Sequence, residues 1–175
     1  MILLSADQHQ GKTSLILDVV SLVQARGLCC AGIACPGLWA DQRRCGFDLL
    51  ELDTGRRSVL SRRIPGLRPI PYMFDAAGLK QGLAAMAPKR CEFAHLVVVD
   101  EVGPLELAGG GWARCLPPLL SLTGPVQVWV VRRSLVQAVQ EHFQLQAEVL
   151  DLDRDACLPS LLRSVSGAQG KRNNA

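Results

Sequence analysis

The sequence predicts an α/β domain of three layers, in which helices cover both faces of a mostly parallel sheet. Apolar, strand-like runs alternate with helical patterns along the chain. The run over residues 96–99 is continuously apolar and β-branched, as in strands buried on both faces of a sheet. A Gly-Lys-Thr turn joins the first apolar run to the first helical pattern. These observations favour a phosphate-binding loop (P-loop) NTPase fold.

Each element is predicted from its own local pattern. Strands are expected over residues 1–4, 28–34, 96–99, 126–131 and 147–152, with a β-hairpin over about 46–61 inserted after a polar loop. Helices are expected over residues 14–26, 75–87, 112–122, 134–143 and 155–163. Together these elements predict a single domain over residues 1–165.

Capping residues and prolines mark several of the predicted boundaries. Gly27 is a stop signal for the first helix, and Asp75 and Ser134 are candidate N-caps of later helices. The segment with Pro65, Pro69 and Pro71 is expected to be extended. We expect the tail over residues 166–175 to be disordered, because it is short, polar and terminal.

The charge of the chain is small and is concentrated in one segment. The net charge is only +3, so charge alone predicts neither a nucleic-acid nor a membrane partner. Residues 41–68 hold seven arginines against four acids, which account for the whole excess. The arginines are Arg43, Arg44, Arg56, Arg57, Arg62, Arg63 and Arg68. This segment is either a basic face that meets an anion or a solvated hairpin surface.

Residue usage also predicts the compartment. The apolar run over residues 1–4 is too short for a secretory signal, and no run approaches the roughly 18 residues that span a bilayer. Seven cysteines, an odd number without a C-x-x-C pair, favour reduced thiols and a cytoplasmic protein. Oligomeric state stays open.

The Gly-Lys-Thr turn predicts a nucleoside-triphosphate site. A strand, a polar turn and Gly-Lys-Thr opening a helix allow backbone N–H groups and a helix N-terminus to hold phosphates. Lys12 is expected to reach the β- and γ-phosphates, and the Thr13 hydroxyl to ligate Mg²⁺. The predicted nucleotide-binding residues of the loop are Ala6, Asp7, Gln8, His9, Gln10, Gly11, Lys12, Thr13 and Ser14.

The loop departs from the usual pattern, G-x-x-x-x-G-K-S/T, because Ala6 stands where the first glycine belongs. An alanine is tolerated if its φ is negative and is strained if its φ is positive. Asp7 brings a negative charge near a polyanion, unless its side chain points away. An ordinary strand–turn–helix that contains Gly-Lys-Thr by chance is the alternative.

The acids Asp100 and Glu101 follow the buried apolar run. Because parallel strands deliver their carboxyl ends to the ligand-binding edge of a sheet, these acids are expected beside the phosphate loop. We expect Asp100 to help hold Mg²⁺ and Glu101 to orient or deprotonate the attacking water. Two acids facing solvent at a strand end are the alternative.

Several segments together resemble the small nucleoside-triphosphatases of the THEP type. Residues 100–107 read D-E-V-G-P-L-E-L, close to the D-E-I-G-P-L-E-L of that family. Residues 43–47 and 52–55 resemble its arginine-containing loop and hairpin, and residues 153–155 resemble its late N-R-D element. The family's loop, G-x-x-G-x-G-K-T-T, is altered here at Ala6, His9 and Ser14.

The resemblance implies a cytosolic P-loop enzyme that hydrolyses ATP or another NTP, with Mg²⁺ and broad base preference. It points to Arg43 or Arg44 as the arginine that neutralises the transition state, and to Arg154 beside Asp153 as a candidate for the base pocket. Position alone also nominates Arg132, which follows a buried strand. Two other functions stay open: a nucleotide-binding accessory or sensor protein with little turnover, and a small-molecule kinase.

Overall fold

A computed structural model describes residues 1–66 and 71–172, with side chains at 169–172 left aside. The strands are β1 (Ile2–Ala6), β2 (Cys30–Ala34), β3 (Gly37–Ala40), β4 (Arg43–Glu51), β5 (Arg57–Arg63), β6 (Tyr72–Phe74), β7 (Leu96–Val102), β8 (Val126–Arg132) and β9 (Glu148–Asp151). The helices are α1 (Lys12–Gln24), α2 (Ala76–Ala85), α3 (Pro88–Cys91), α4 (Pro104–Leu107), α5 (Leu116–Leu120), α6 (Val136–His142) and α7 (Cys157–Arg172).

Within the described ranges, the strands form one sheet in the order β6-β5-β4-β2-β7-β8-β1-β9, and β3 pairs with β4. The pairs from β2 to β9 are all parallel, whereas β4 runs antiparallel to β2, β3 and β5. The carboxyl ends of five parallel strands therefore meet at one edge. The predicted fold class, including the inserted hairpin, is confirmed.

Two apolar cores lie on opposite faces of the sheet, which makes three layers. Along β7, Val97 and Val99 enter the core under α2, α3 and α5, whereas Leu96 and Val98 enter the core under α1 and α7. This alternation explains the continuous apolar run, because a strand covered on both faces buries every side chain.

The antiparallel part of the sheet is larger than expected. The predicted polar loop before residue 46 contains β3 and the start of β4, joined by a tight turn. Asp41 and Gln42 form this turn with φ of 47° and 58°. Two positive φ values match the hairpin turn that usually carries Asn-Gly or Asp-Gly, so the glycine-free sequence concealed it.

Other boundaries also differ from expectation. Asp75 caps α2 as predicted, accepting a hydrogen bond from the N–H of Gly78 at 2.7 Å. Ser134 is not a cap, because a 3-10 turn over Arg133–Leu135 precedes α6. Arg68 and Pro69 lie outside the described residues.

The end of the chain differs from expectation too. The helix α7 continues to Arg172, where the sequence predicted a disordered tail from residue 166. Leu161 and Val165 are buried in the core shared with α1. Their burial holds the helix against the sheet, and extending an existing helix is far easier than starting one.

Candidate active site

The phosphate loop lies between β1 and α1 at the carboxyl edge of the sheet. Ala6 ends β1 in buried, extended backbone, so the missing glycine causes no strain there. His9 and Gly11 both take positive φ, at 66° and 84°. The N–H of Asp7 donates to Gln10 Oε1 at 2.8 Å, which closes the loop on itself. The loop thus keeps its curvature although a histidine occupies a left-handed position.

The ammonium of Lys12 lies inside this loop. Its Nζ donates to the carbonyl oxygens of Ala6 at 3.0 Å and Asp7 at 2.7 Å. Burial lowers the pKa of Lys12, and the carboxylates of Glu101 and Asp100 act in the opposite direction. The amine is therefore held within the loop, and the acids of β7, one strand beyond β8, act on it electrostatically.

Thr13 and Asp100, which are 87 residues apart in sequence, meet beneath the loop. The Thr13 hydroxyl donates to Asp100 Oδ2 at 2.9 Å. The N–H of Cys35 donates to the same oxygen at 2.9 Å, and that of Glu101 donates to Oδ1 at 2.9 Å. Burial and the charge of Glu101 nevertheless raise the pKa of Asp100 to about 6.

These oxygens suit Mg²⁺, which prefers hard oxygen ligands and is usually held by one or two protein groups plus phosphates. A hydroxyl and a carboxylate in contact supply that donor set, and a divalent charge offsets the burial of Asp100. Among the described residues, no cluster of three or more His, Cys, Asp or Glu forms a metal site by itself. The donor set therefore fits a cation that is bound together with a triphosphate.

Glu101 is aimed by a β-bulge. The pairing of β7 with β8 shifts register between Val99 and Val102, and Glu101 takes a φ of 63° there. Bulges redirect side chains at the ends of strands. Glu101 therefore lines the same cleft as Lys12, whereas the neighbouring Asp100 is fully buried.

Two arginines at the end of β8 act on opposite sides of the loop. Arg132 lies beside Ala6 in the parallel register, and its Nη1 lies 2.6 Å from the Gln8 side-chain oxygen when that amide faces it. Arg132 also lines the cleft with Lys12. The cation nominated by position is thus at the site.

Arg133 neutralises the acid in the loop. Its Nη1 lies 2.6 Å from Asp7 Oδ2, its Nη2 lies 2.8 Å from Asp151 Oδ1, and Nη2 also pairs with Asp153. The hydrogen bonds from Arg133 lower the pKa of Asp151. Asp7 therefore faces a cation on the β9 side, away from the mouth of the loop.

Arg44 is held over aromatic rings on the other side. Its guanidinium carbon lies 4.8 Å from the Trp39 ring centroid and 4.9 Å from that of Phe47. His9 contacts Trp39 edge-on, with ring centroids 5.5 Å apart. Burial and the charges of Arg44, Arg132 and Lys12 lower the pKa of His9, which keeps its imidazole neutral at pH 7.

The structure does not bring every predicted residue to the site. Arg43 is exposed at the start of β4 and does not line the cleft that Arg44 lines. Ser14 follows Thr13 in the first turn of α1 with its side chain exposed, and Arg154 is exposed on the loop after β9, next to Asp153, which pairs with Arg133. Of the two arginines that the resemblance nominated, only Arg44 faces the site.

Glu106, in α4, is a buried carboxylate. Its carboxylate accepts from the N–H groups of Gly103 at 2.9 Å and Trp112 at 3.1 Å. Burial raises its pKa. Glu106 therefore holds the loop that follows Glu101, and both of its carboxylate oxygens are already engaged where it lines the cleft.

Sequence reasoning missed three contributors to the site: Cys35, through its backbone N–H, Trp39 and Arg133. Cys35 and Trp39 carry no motif, and their roles follow from strand pairing. Arg133 offered a weak signal, because it directly follows a buried strand and precedes a helix at the ligand edge.

A cleft of about 470 Å³ opens from the loop toward β5, β6 and α2. Lys12, Glu101 and Arg132 line one end, and the aromatic and aliphatic side chains of Phe47, Tyr72, Phe74, Leu79, Leu105 and Trp112 line the other. No helix in the described part of the chain is long and apolar enough to cross a membrane.

The fold and this loop define a P-loop nucleotide-binding protein of the α/β class. The chain belongs to the family described as NTPase, whose model matches residues 1–161. Among curated relatives, Nucleoside-triphosphatase THEP1 of Methanothermobacter thermautotrophicus is 24% identical over 87% of this chain and 88% of that protein. The THEP1 of Methanopyrus kandleri is 35% identical, and that match spans about half of each chain, 55% and 54%.

Two solved structures share the fold. A human cancer-related nucleoside triphosphatase, determined in solution, has a TM-score of 0.70 at 22% identity and covers 97% of both chains. The crystal structure of THEP1 from Aquifex aeolicus has a TM-score of 0.66 at 19% identity, over 94% of this chain and 99% of that one.

Proposed function

We propose that this chain hydrolyses nucleoside triphosphates to diphosphate and phosphate with Mg²⁺, and with broad preference for the base. The observation that carries the proposal is the 2.9 Å hydrogen bond from Thr13 to Asp100 beneath a Gly-Lys-Thr loop. It joins the two halves of a triphosphate site across the sheet. Family membership and the THEP1 relatives support the same activity.

Each residue has a distinct role in this proposal. The loop N–H groups and Lys12 bind the phosphates, with Lys12 exchanging the carbonyls of Ala6 and Asp7 for phosphate oxygens. Thr13 and Asp100 would hold Mg²⁺, which supplies neutralisation of the charge on the β- and γ-phosphates. Glu101 orients the attacking water and accepts its proton.

Two arginines supply further positive charge beside the γ-phosphate, where the transition state develops negative charge. Arg44 and Arg132 line the cleft on either side of Lys12 and Glu101. We assign them to the transition-state charge, Arg44 from the β4 side and Arg132 from the β8 side. Asp153 pairs with Arg133 on the β9 side of the loop, and we propose that the base binds there, beside Asp153 and Arg154.

The test combines binding and turnover on one preparation. A non-hydrolysable triphosphate is titrated with Mg²⁺, and phosphate release from the NTP is then measured. We expect Lys12→Ala to weaken binding and abolish release, and chelation of Mg²⁺ to stop release. Glu101→Gln keeps binding but lowers kcat by about 10²–10⁴-fold, since it removes the proton acceptor.

Matched controls are Lys80→Ala and Glu148→Gln, which change exposed residues away from the loop. Unchanged release in Glu101→Gln would contradict the role of Glu101. Tight binding without release in the wild-type chain would instead support the sensor alternative. His9 makes this alternative worth testing, because it replaces a glycine of the family's loop and takes a positive φ.

The compartment is part of the proposal. All seven cysteines are unpaired thiols, three of them outside the buried interior. Unpaired thiols are typical of a reducing compartment, so we propose that the chain works in the cytoplasm.

A further inference from the structure

The cleft extends well beyond what a single attacking water needs. Its volume of about 470 Å³ falls in the range of small-molecule pockets, about 300–1,000 Å³. Only one end of it belongs to the triphosphate site described above. The remainder runs under β5, β6 and α2, and no step of hydrolysis uses it.

The sheet order determines which end of a triphosphate faces this cleft. Glu101 on β7 and Lys12 mark the position of the γ-phosphate, and β7 lies on the far side of β8 from β1 and β9. The Arg133 cluster with Asp151 marks the β9 side. A triphosphate on the loop therefore points its γ-phosphate toward the cleft, while its nucleoside leaves in the opposite direction.

The far end of the cleft has the surface that a flat ring needs. Phe47 and Tyr72 contact each other edge-on with centroids 5.3 Å apart, and Phe74 and Trp112 complete an aromatic lining. The Arg44 guanidinium stacks on Phe47, and its buried Nε has no hydrogen-bond partner among the described residues.

We propose that this cleft binds a second substrate, a planar nucleoside-sized molecule that carries a hydroxyl group and accepts the γ-phosphate. The proposal rests on the triphosphate site proposed above. Glu101, at the triphosphate end of the cleft, serves the hydroxyl as it serves water. Hydrolysis is then the reaction that occurs when water takes the place of the acceptor.

The transfer step balances without a further reactant. The acceptor oxygen attacks the γ-phosphorus, and the bond from that phosphorus to the bridging oxygen breaks. The bond's electron pair stays on the nucleoside diphosphate, whose new charge Lys12 faces. The hydroxyl proton passes to the Glu101 carboxylate, and the products are a diphosphate and a phosphomonoester.

The experiment incubates the full chain with γ-labelled ATP, Mg²⁺ and, in turn, adenosine, guanosine, cytidine, uridine or thymidine at millimolar concentration. We expect label in a nucleoside monophosphate with at least one of the five. Phe74→Ala should lower the ratio of transfer to hydrolysis about tenfold, because it removes an aromatic contact to the ring.

Met73→Ala is the matched control. Met73 neighbours Phe74 on β6, is 60% exposed and does not line the cleft. Because successive side chains of a strand point to opposite faces, this variant should leave both reactions unchanged. Saturation-transfer NMR of each nucleoside, with the wild-type chain and non-hydrolysable triphosphate, tests binding without any variant.

Three results would overturn the proposal, and they are distinguishable. Label found only in inorganic phosphate, with triphosphate binding intact and no nucleoside signal by NMR, would contradict the acceptor proposal. The proposed hydrolase function would still hold. Weaker binding of the triphosphate itself in Phe74→Ala means that the cleft holds its base. Failure of the triphosphate to bind at all removes the proposed function, and the acceptor with it.

Discussion

The ion pair with Arg133 explains how the phosphate loop tolerates an acidic residue at Asp7. A carboxylate in a phosphate-binding loop repels the triphosphate unless a cation offsets it. Arg133, 126 residues away in sequence, provides that cation at 2.6 Å and connects the loop to Asp151 at the end of β9. The pair also lies near the surface, where an ion pair alone adds little to stability. Its effect should therefore appear in binding.

We expect Arg133→Ala to weaken binding of the Mg²⁺–triphosphate about tenfold, because Asp7 then repels the phosphates without compensation. The double variant Asp7→Asn/Arg133→Ala should recover most of the loss. Titration of a non-hydrolysable triphosphate measures all three affinities. Equal losses in the single and double variants would show that Arg133 acts through something other than Asp7.

Asp100 predicts a pH dependence. Its pKa of about 6 means that the carboxylate is mostly ionised at pH 7 and mostly protonated at pH 5. Mg²⁺ needs the ionised form, so lowering the pH from 7 to 5 should weaken Mg²⁺-dependent triphosphate binding by the wild-type chain about tenfold. The Asp100→Asn variant, which has no carboxylate to protonate, should lose less over the same range. Titration of a non-hydrolysable triphosphate at a series of pH values measures both.

The cause of the raised pKa of Asp100 is testable in the same series of titrations. Burial is the larger cause, and the charge of Glu101 adds to it. Glu101→Gln removes that charge, so ionisation of Asp100 becomes easier and the midpoint should move to lower pH. A midpoint that stays in place would mean that the two acids do not interact.

Among the elements, the segment from Gly103 to Trp112 decides where the Glu101 bulge can lie. Glu106 fastens both ends of it through two backbone N–H groups while being only 3% exposed. The side chain of Glu106 also fills the space beside Gly111, where a Cβ atom would lie 2.1 Å from its Oε1. A buried carboxylate with both oxygens engaged is therefore structural here.

We expect Glu106→Ala to lower the free energy of unfolding by about 2–4 kcal/mol, because two buried donors lose their acceptor. It should also lower turnover by releasing the segment after Glu101. Urea unfolding measures the first effect, and Glu148→Ala, at an exposed position, should change it by less than about 0.5 kcal/mol. A stable Glu106→Ala variant would contradict this role.

At the scale of the whole molecule, the site depends on β2 and β7 lying side by side. Gly32 pairs with Val98 in this ladder, and a Cβ at position 32 would lie 2.1 Å from the Val98 carbonyl oxygen. The same pairing carries Cys35 to the end of β2, where its N–H reaches Asp100. A close approach in the middle of the sheet thus supports the position of Asp100 at its edge.

Gly32→Ala should therefore destabilise the fold by about 3–5 kcal/mol, combining overpacking with the strain of an alanine at a φ of +90°. Gly55→Ala is the matched control: it also has a positive φ, +71°, but nothing lies within 4 Å of its added Cβ. This control should lose only about 1–2 kcal/mol. Equal losses by urea unfolding would exclude the steric cause.

Local patterns in the sequence determined the fold class, the phosphate loop, the acids near the carboxyl end of β7 and the cap of α2. Each of these depends on residues close together in the chain: a Gly-Lys-Thr turn, a β-branched run, an Asp before a helix. Such patterns report directly on local backbone geometry and burial.

Only the tertiary structure decided which distant residues complete the site. The pairing of Arg133 with Asp7, the stacking of Arg44 on Trp39 and the N–H of Cys35 on Asp100 all depend on strand order and on the turn at residues 41–42. Strand order is set by the packing of whole layers. No short segment of the sequence carries that information, since each of these contacts needs two elements to be placed first.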